Sequence, residues 1–142
     1  MLALLLLAAA IPSELTADRT LRSVESGKLE AKQAVEALEQ AWDLARVVKA
    51  PYPRKSWRPP VSTDSLVAQQ AAASRFGWDQ LSLRVRVVRA MRRYKSKRAL
   101  VMFEEMRPPA PPALACTDAL VPRLEGYYDL AGEMGFEQAW RV

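Results

Sequence analysis

Residues 79–98 read DQLSLRVRVVRAMRRYKSKR, and two periods compete in them. Leu81, Leu83, Val85 and Val87 alternate with Ser82, Arg84 and Arg86, as on a half-buried strand. On a helical wheel, Leu83, Val87, Ala90, Met91 and Tyr94 instead fall together, with Arg86, Arg89, Arg93 and Lys97 opposite. Asp79 suits the N-cap of such a helix. A strand needs a partner for its backbone hydrogen bonds, and the remaining sequence supplies no second strand pattern. The stretch therefore reads as a helix from Asp79 to about Tyr94, and the chain as all-α.

Outward from there, helices follow one another. Ser13 to Gly27 is a first helix, with Ser13 or Thr16 as cap and Leu15, Leu21 and Val24 on one face. Gly27 stops it. Lys28 to Lys49 carries the clearest stripe: Ala31, Ala34, Val35, Leu38, Ala41, Trp42, Ala45 and Val48, at spacings that keep one face apolar. Lys32 and Glu36, four apart, can pair on its wet face. APYPRKSWRPPV, residues 50–61, holds four prolines and reads as an extended loop. A third helix is expected from the cap cluster Ser62, Thr63 and Asp64 to Phe76, stopped by Gly77, with Ala71, Ala72 and Ala73 allowing close approach. Ser96 to Met106 is a fifth, with Ala99, Leu100, Phe103 and Met106 on its apolar side. Prolines in 107–115 end it. A sixth is expected after a Thr117 or Asp118 cap, with Pro122 in its first turn. It carries Leu120, Leu124, Tyr127, Tyr128, Ala131 and Met134, and breaks at Gly135. Phe136 to Val142 reads as the start of a further helix.

The composition excludes much chemistry. The 142 residues contain no His, no Asn and one Cys. There is thus no imidazole for acid–base or metal chemistry, no N-glycosylation acceptor and no internal disulfide partner for Cys116. Cys116 sits just before the expected sixth helix, where a helix N-terminus lowers a thiol pKa; an inert packed side chain is the plainer reading. Phosphate-binding glycine loops and serine-nucleophile motifs are missing. Glu104, Glu105, Asp118, Tyr127 and Tyr128 are the remaining acid–base candidates. Adjacent helical residues such as Glu104 and Glu105 point about 100° apart, so they form no dyad. Catalysis and cofactors are not expected.

The chain opens MLALLLLAAAIPSEL. The apolar run Leu2 to Ala10 is too short to span a bilayer core, which takes about 20 residues. It matches the apolar core of a secretory signal, with Ala8, Ala9 and Ala10 offering small residues for cleavage. The expected organisation is a signal peptide at 1–11 and one all-α domain of helical hairpins at 12–142, with the last helix cut short. An exported protein, periplasmic or secreted, follows from that reading; a buried first helix of a cytoplasmic protein is its rival.

KSKRALVMFEEM, at 95–106, resembles the second helix of a tetratricopeptide or pentatricopeptide repeat, with Ala99, Phe103 and Met106 at packing positions. EAKQAVEALEQAW, at 30–42, resembles it again through Ala34 and Leu38, and GFEQAW at 135–140 begins similarly. The resemblance implies a short α-solenoid or irregular bundle of helical hairpins, and a scaffold that binds another protein. The chain also looks like exported helical proteins of GC-rich bacteria.

Charge is segregated. Residues 1–45 carry net −3, residues 46–98 net +12 and residues 99–142 net −4. No acid lies between Asp79 and Glu104, while Arg84, Arg86, Arg89, Arg93 and Lys97 all do. An Arg-rich helix over 84–98 suits an anionic polymer or an anionic membrane surface. Equally, the acidic helices on either side can neutralise it internally. Arg54, Lys55 and Arg58 interleave with Tyr52 and Trp57, a pattern able to stack bases and neutralise phosphates. The plainer role of Trp57 is to pin the loop onto the helices. Two functional readings stand: a non-enzymatic protein-interaction scaffold, and a binder of anionic polymer or membrane.

Overall fold

The protein is described here by a computed structural model, which covers residues 12–56, 74–110, 113–115 and 120–135. Five helices and a pair of very short strands lie within these residues: α1 (Ser13–Glu25), α2 (Ala31–Arg46), β1 (Arg54–Ser56), α3 (Gln80–Tyr94), α4 (Ser96–Met106), β2 (Leu120–Pro122) and α5 (Glu125–Glu133). The chain is all-α in class, and none of the described helices is long and apolar enough to cross a membrane. The expected signal at 1–11, most of the helix at 62–76, Cys116, Thr117, Asp118 and 136–142 lie outside the described residues. Residues 74–76 are helical, and Gly77 follows with φ 64°.

The contested stretch is helical. Asp79 Oδ1 accepts the Ser82 N–H at 2.8 Å, so the cap closes as expected. The strand-like alternation has a physical origin. α3 packs against α1, α2, α4 and α5 at once. Leu81, Leu83, Val85, Val87, Val88, Ala90 and Met91 are all buried, which covers well over half the circumference at about 100° per residue. A helix buried on several sides needs apolar residues at many spacings, two included.

α1 and α2 are joined by the short turn at 26–30 and pack along one another. Ala17, Leu21 and Val24 face Leu38, Trp42 and their neighbours in a core where Trp42 is only 1% exposed. Neither Ser13 nor Thr16 caps α1. Pro12 does the work instead: its carbonyl accepts the N–H groups of Leu15 and Thr16 at 3.1 and 3.2 Å. Its fixed φ of −52° leads straight into the helix. Ser13 Oγ turns to Glu14, and Thr16 Oγ1 donates to the Pro12 carbonyl. α2 begins at Ala31 rather than Lys28, because Gln33 Oε1 accepts the Glu30 N–H and sets the start there. Lys32 and Glu36 are exposed and make no ion pair.

α3 turns into α4 through Lys95 alone. The apolar side of α4 is Ala99, Met102, Phe103 and the half-buried Met106, at the i, i+3, i+4, i+7 spacing. Leu100, expected among them, points outward instead, 37% exposed. Phe103 stacks on Tyr127 of α5 with centroids 5.3 Å apart.

Two expectations fail at 50–60 and 117–124. The proline-rich loop holds a strand, and the start of the sixth helix is its partner. Arg54 pairs with Pro122, Lys55 with Val121 and Ser56 with Leu120, antiparallel. Pro122 thus ends a strand and does not open a helix, a place proline tolerates because it need donate nothing. The Arg123 N–H continues the contact to the Pro53 carbonyl at 2.8 Å, and α5 starts only at Glu125.

Candidate functional site

The structure separates the basic residues that the sequence groups together. Arg86 reaches α1: its Nη1 donates to Asp18 Oδ1 at 2.6 Å, and its Nε and Nη2 donate to Glu25 at 3.1 and 2.9 Å. Asp18 is 5% exposed and also accepts from Arg22 Nε at 2.9 Å. Burial works against its ionisation. The hydrogen bond and charge of Arg86, with the charge of Arg22, outweigh that and hold the carboxyl below its ordinary range. Arg89 clasps Glu133 of α5 through Nε and Nη2, at 2.9 and 2.6 Å. Arg98 clasps Glu39 of α2 as a fork, Nε to Oε1 and Nη2 to Oε2, both at 2.8 Å, and its hydrogen bond holds the Glu39 carboxyl low.

Arg92, Arg93, Lys95 and Lys97 remain. All four are exposed around the α3–α4 bend and form no ion pair among the described residues, although the charge of Lys95 acts on Glu39. The wheel face Arg86, Arg89, Arg93 and Lys97 is therefore half engaged with carboxylates and half open to solvent.

Arg84 has a different setting. It falls at i+3 from Leu81, i−4 from Val88 and i−7 from Met91, so it interrupts a buried stripe. Its guanidinium lies 4.3 Å from the centroid of the Trp42 ring. Its Nε is buried with no hydrogen-bond partner. Desolvation pulls its pKa down, the charge of Arg46 adds to that, and Glu105 acts the other way. A guanidinium stays charged under such a shift.

Around Arg84 the end of α2, the start of α3 and the end of α4 meet in an open cleft of about 710 Å³. Arg46, Gln80, Arg84 and Arg107 supply its donors, with Val101, Glu104 and Glu105 beside them. Gln80 Nε2 donates to the Arg46 carbonyl at 2.8 Å and ties α3 to the end of α2. Glu105 accepts from the Trp42 indole at 3.3 Å and from Arg98 at 3.4 Å. Arg107 sits at φ 53°, ψ 155°, a backbone region otherwise left to glycine. Nothing in the composition of residues 79–98 singles out Arg84 from its basic neighbours. The signal lies in its register with Leu81, Val88 and Met91.

The second basic–aromatic cluster is partly described. Arg54 lies 5.8 Å from the Tyr52 ring centroid, and its N–H donates to Ser74 Oγ at 2.9 Å. Lys55 is exposed on β1. Trp57 and Arg58 lie outside the described residues. A cavity of about 260 Å³ lies against Tyr52, Arg54, Lys49, Ser74 and the buried Asp79. Burial pushes the Asp79 carboxyl up, and its Oδ2 has no partner. Among the described residues no group of three potential acid, Cys or His ligands could hold a metal ion.

Comparison with protein-family models, with curated proteins and with solved structures finds no match.

Proposed function

We infer that this chain is a non-enzymatic helical module that binds another polypeptide across the outer side of α4. The observation that carries this reading is the unpartnered apolar surface there. Leu100 is 37% and Val101 44% exposed on a helix whose opposite side is fully packed, and Val101 runs into the arginine-lined cleft. Most of the chain's arginine–carboxylate pairing is internal, holding helices together, whereas this face has no complement. The resemblance of 95–106 to the second helix of a tetratricopeptide or pentatricopeptide repeat supports the same use.

The test is site-specific photo-cross-linking in the cell that makes the protein, with benzoylphenylalanine at Leu100 and, for comparison, at Lys32 on the exposed side of α2. A discrete protein adduct from position 100 and none from position 32 is expected. Equal or absent adducts at both positions defeat the reading.

A second reading rests on Arg92, Arg93, Lys95 and Lys97, the open cationic bend. It makes the bend a contact for an anionic polymer or membrane surface. Affinity for such a ligand falls steeply with salt. Replacing Arg93 and Lys97 by Gln then removes binding to nucleic acid or anionic vesicles at low salt. Export belongs here too: the run Leu2 to Ala10 supports cleavage near Ala10. Sequencing the mature N-terminus tests it, and an intact Met1 on the cytoplasmic protein overturns it.

A further inference from the structure

Arg84 is a charged residue built into an apolar stripe, and among the described residues it forms no ion pair: the charge of Glu105 acts on it without a hydrogen bond. The neighbours of Arg84 in the chain show how readily this protein supplies such a pair. Arg86 has two carboxylates, Arg89 has Glu133, and Arg98 has Glu39 with Glu105. Arg84 makes no hydrogen bond among the described residues and rests on the Trp42 face. A half-buried guanidinium whose Nε is shut off from water without an acceptor is costly, and a carboxylate recovers that cost through charge-assisted hydrogen bonds. The cleft leaves room for one. Its contact with the Trp42 ring holds the guanidinium in place in advance, so little freedom is lost when an acceptor arrives. The strained backbone at Arg107 brings a second arginine to the same opening, and Arg46 brings a third.

We propose that this cleft receives a glutamate or aspartate side chain from an acidic, leucine-bearing segment of the partner polypeptide, with Arg84 as the group that reads the carboxylate. The proposal rests on the docking face described above and names the chemistry of what docks. Charge decides the class. Three arginines line an opening that also holds Glu104 and Glu105, and Glu105 is already engaged by Trp42 and Arg98. A single carboxylate adds one negative charge to an opening lined by three arginines and two glutamates. A polyanion, whether nucleic acid or a bilayer surface, would press further negative charge against the two glutamates. The apolar rim at Val101, with Leu100 beside it along α4, favours a side chain with hydrocarbon neighbours over a free inorganic ion.

The test is a titration of the ¹⁵N-labelled chain, following the Arg84 Nε–H and Trp42 indole N–H resonances. The probes are a blocked peptide of alternating leucine and glutamate, the same peptide with glutamine for glutamate, inorganic phosphate, and phosphatidylglycerol vesicles. The glutamate peptide is expected to shift both resonances to saturation. Binding should weaken at least about tenfold with the glutamine peptide, and by a similar factor in Arg84→Gln, because a charge-assisted pair is lost in each. Lys32→Gln, remote on α2, should bind within about twofold of the unmodified protein. Should Arg84→Gln lose its helical circular dichroism, Arg107→Gln decides, and a loss of at least about threefold is expected from that exposed contact. No saturable shift with the glutamate peptide overturns the proposal. So does equal binding of the glutamine peptide, undiminished binding by the folded variants, or the same shifts from phosphate or vesicles alone. Cross-linking at Leu100 that survives Arg84→Gln would leave the docking face standing and defeat the carboxylate reading alone.

Discussion

Arg86 and Asp18 are 68 positions apart in the chain, yet they form its most buried ion pair among the described residues. Removing the guanidinium leaves Asp18 with Arg22 only and frees Glu25. Arg86→Gln should lower the unfolding free energy by about 2–3 kcal/mol, measured by urea denaturation. Arg93→Gln, two turns along the same face and fully open, should stay within about 0.5 kcal/mol. Equal effects would mean that the two arginines share one role. Trp42 is the larger anchor: Trp42→Ala should cost about 3–5 kcal/mol, since it empties a buried site and takes away the surface under Arg84. Asp79 carries two opposed duties. Its Oδ1 caps α3 while its Oδ2 is buried without a partner, and burial raises its pKa above the ordinary 3.8. A raised acid favours its protonated form in the fold, so the cost of ionising it is absent at low pH and fully present at pH 7. Asp79→Asn keeps the cap and removes that cost, and should be at least as stable as the parent at neutral pH. Asp79→Ala, which loses the cap, should be about 1 kcal/mol less stable.

At the scale of elements, the turn glycine Gly77 and the helical glycine Gly132 make opposite predictions. Gly77 has φ 64° immediately before the α3 cap, and an added Cβ would also meet Ser82 at 3.5 Å. Gly77→Ala should destabilise by about 1 kcal/mol. Gly132 is helical in α5 with open space around it. Gly132→Ala should stabilise by up to about 0.5 kcal/mol. A thermal melt of both variants checks the contrast. The helices themselves were legible because each buries a stripe at helical spacing; the 31–45 stripe survives in the structure almost residue for residue. Helix ends were less legible. The start of α2 depends on a reciprocal contact between Glu30 and Gln33, and the start of α1 on a proline carbonyl, neither of which changes the apolar period. The strands were illegible for a different reason. Three residues cannot show an alternation, and the partner of Arg54–Ser56 lies beyond both α3 and α4 in the chain. Of the candidate site, the abundance of arginine was plain, but which arginines are engaged depends on contacts 44 to 68 positions away.

Across the whole molecule, the charge blocks of the sequence describe how the helices dock. The acidic first segment supplies α1 and α2, the acidic last segment supplies α5, and all three set carboxylates against the basic α3–α4 unit through Asp18, Glu25, Glu39 and Glu133. Such a design ties stability to pH. Asp18 and Glu39 have folded pKa values held below the ordinary 3.8 and 4.5. Their contribution is present above those ordinary values and is lost as pH falls through the lower folded ones. Asp79 works in the other direction, relieving its burial cost as it takes up a proton, but it stands against Asp18, Glu39 and Glu125, all held low. The protein should therefore lose stability steadily as it is acidified below about pH 4.5. In Arg86→Gln/Arg98→Gln the carboxylates have lost their main partners. That variant should start lower at pH 7 and fall less steeply, so that its curve converges with the parent's at the acid end. Salt should separate the contributions: the half-exposed Arg98–Glu39 and Arg89–Glu133 pairs weaken between low and moderate ionic strength, while the buried Asp18–Arg86 contact persists. Urea denaturation across this pH range, at two salt concentrations, reads both effects. Parallel curves for parent and variant would mean that the charge blocks are solvated faces that happen to meet, and that the apolar stripes alone dock the helices.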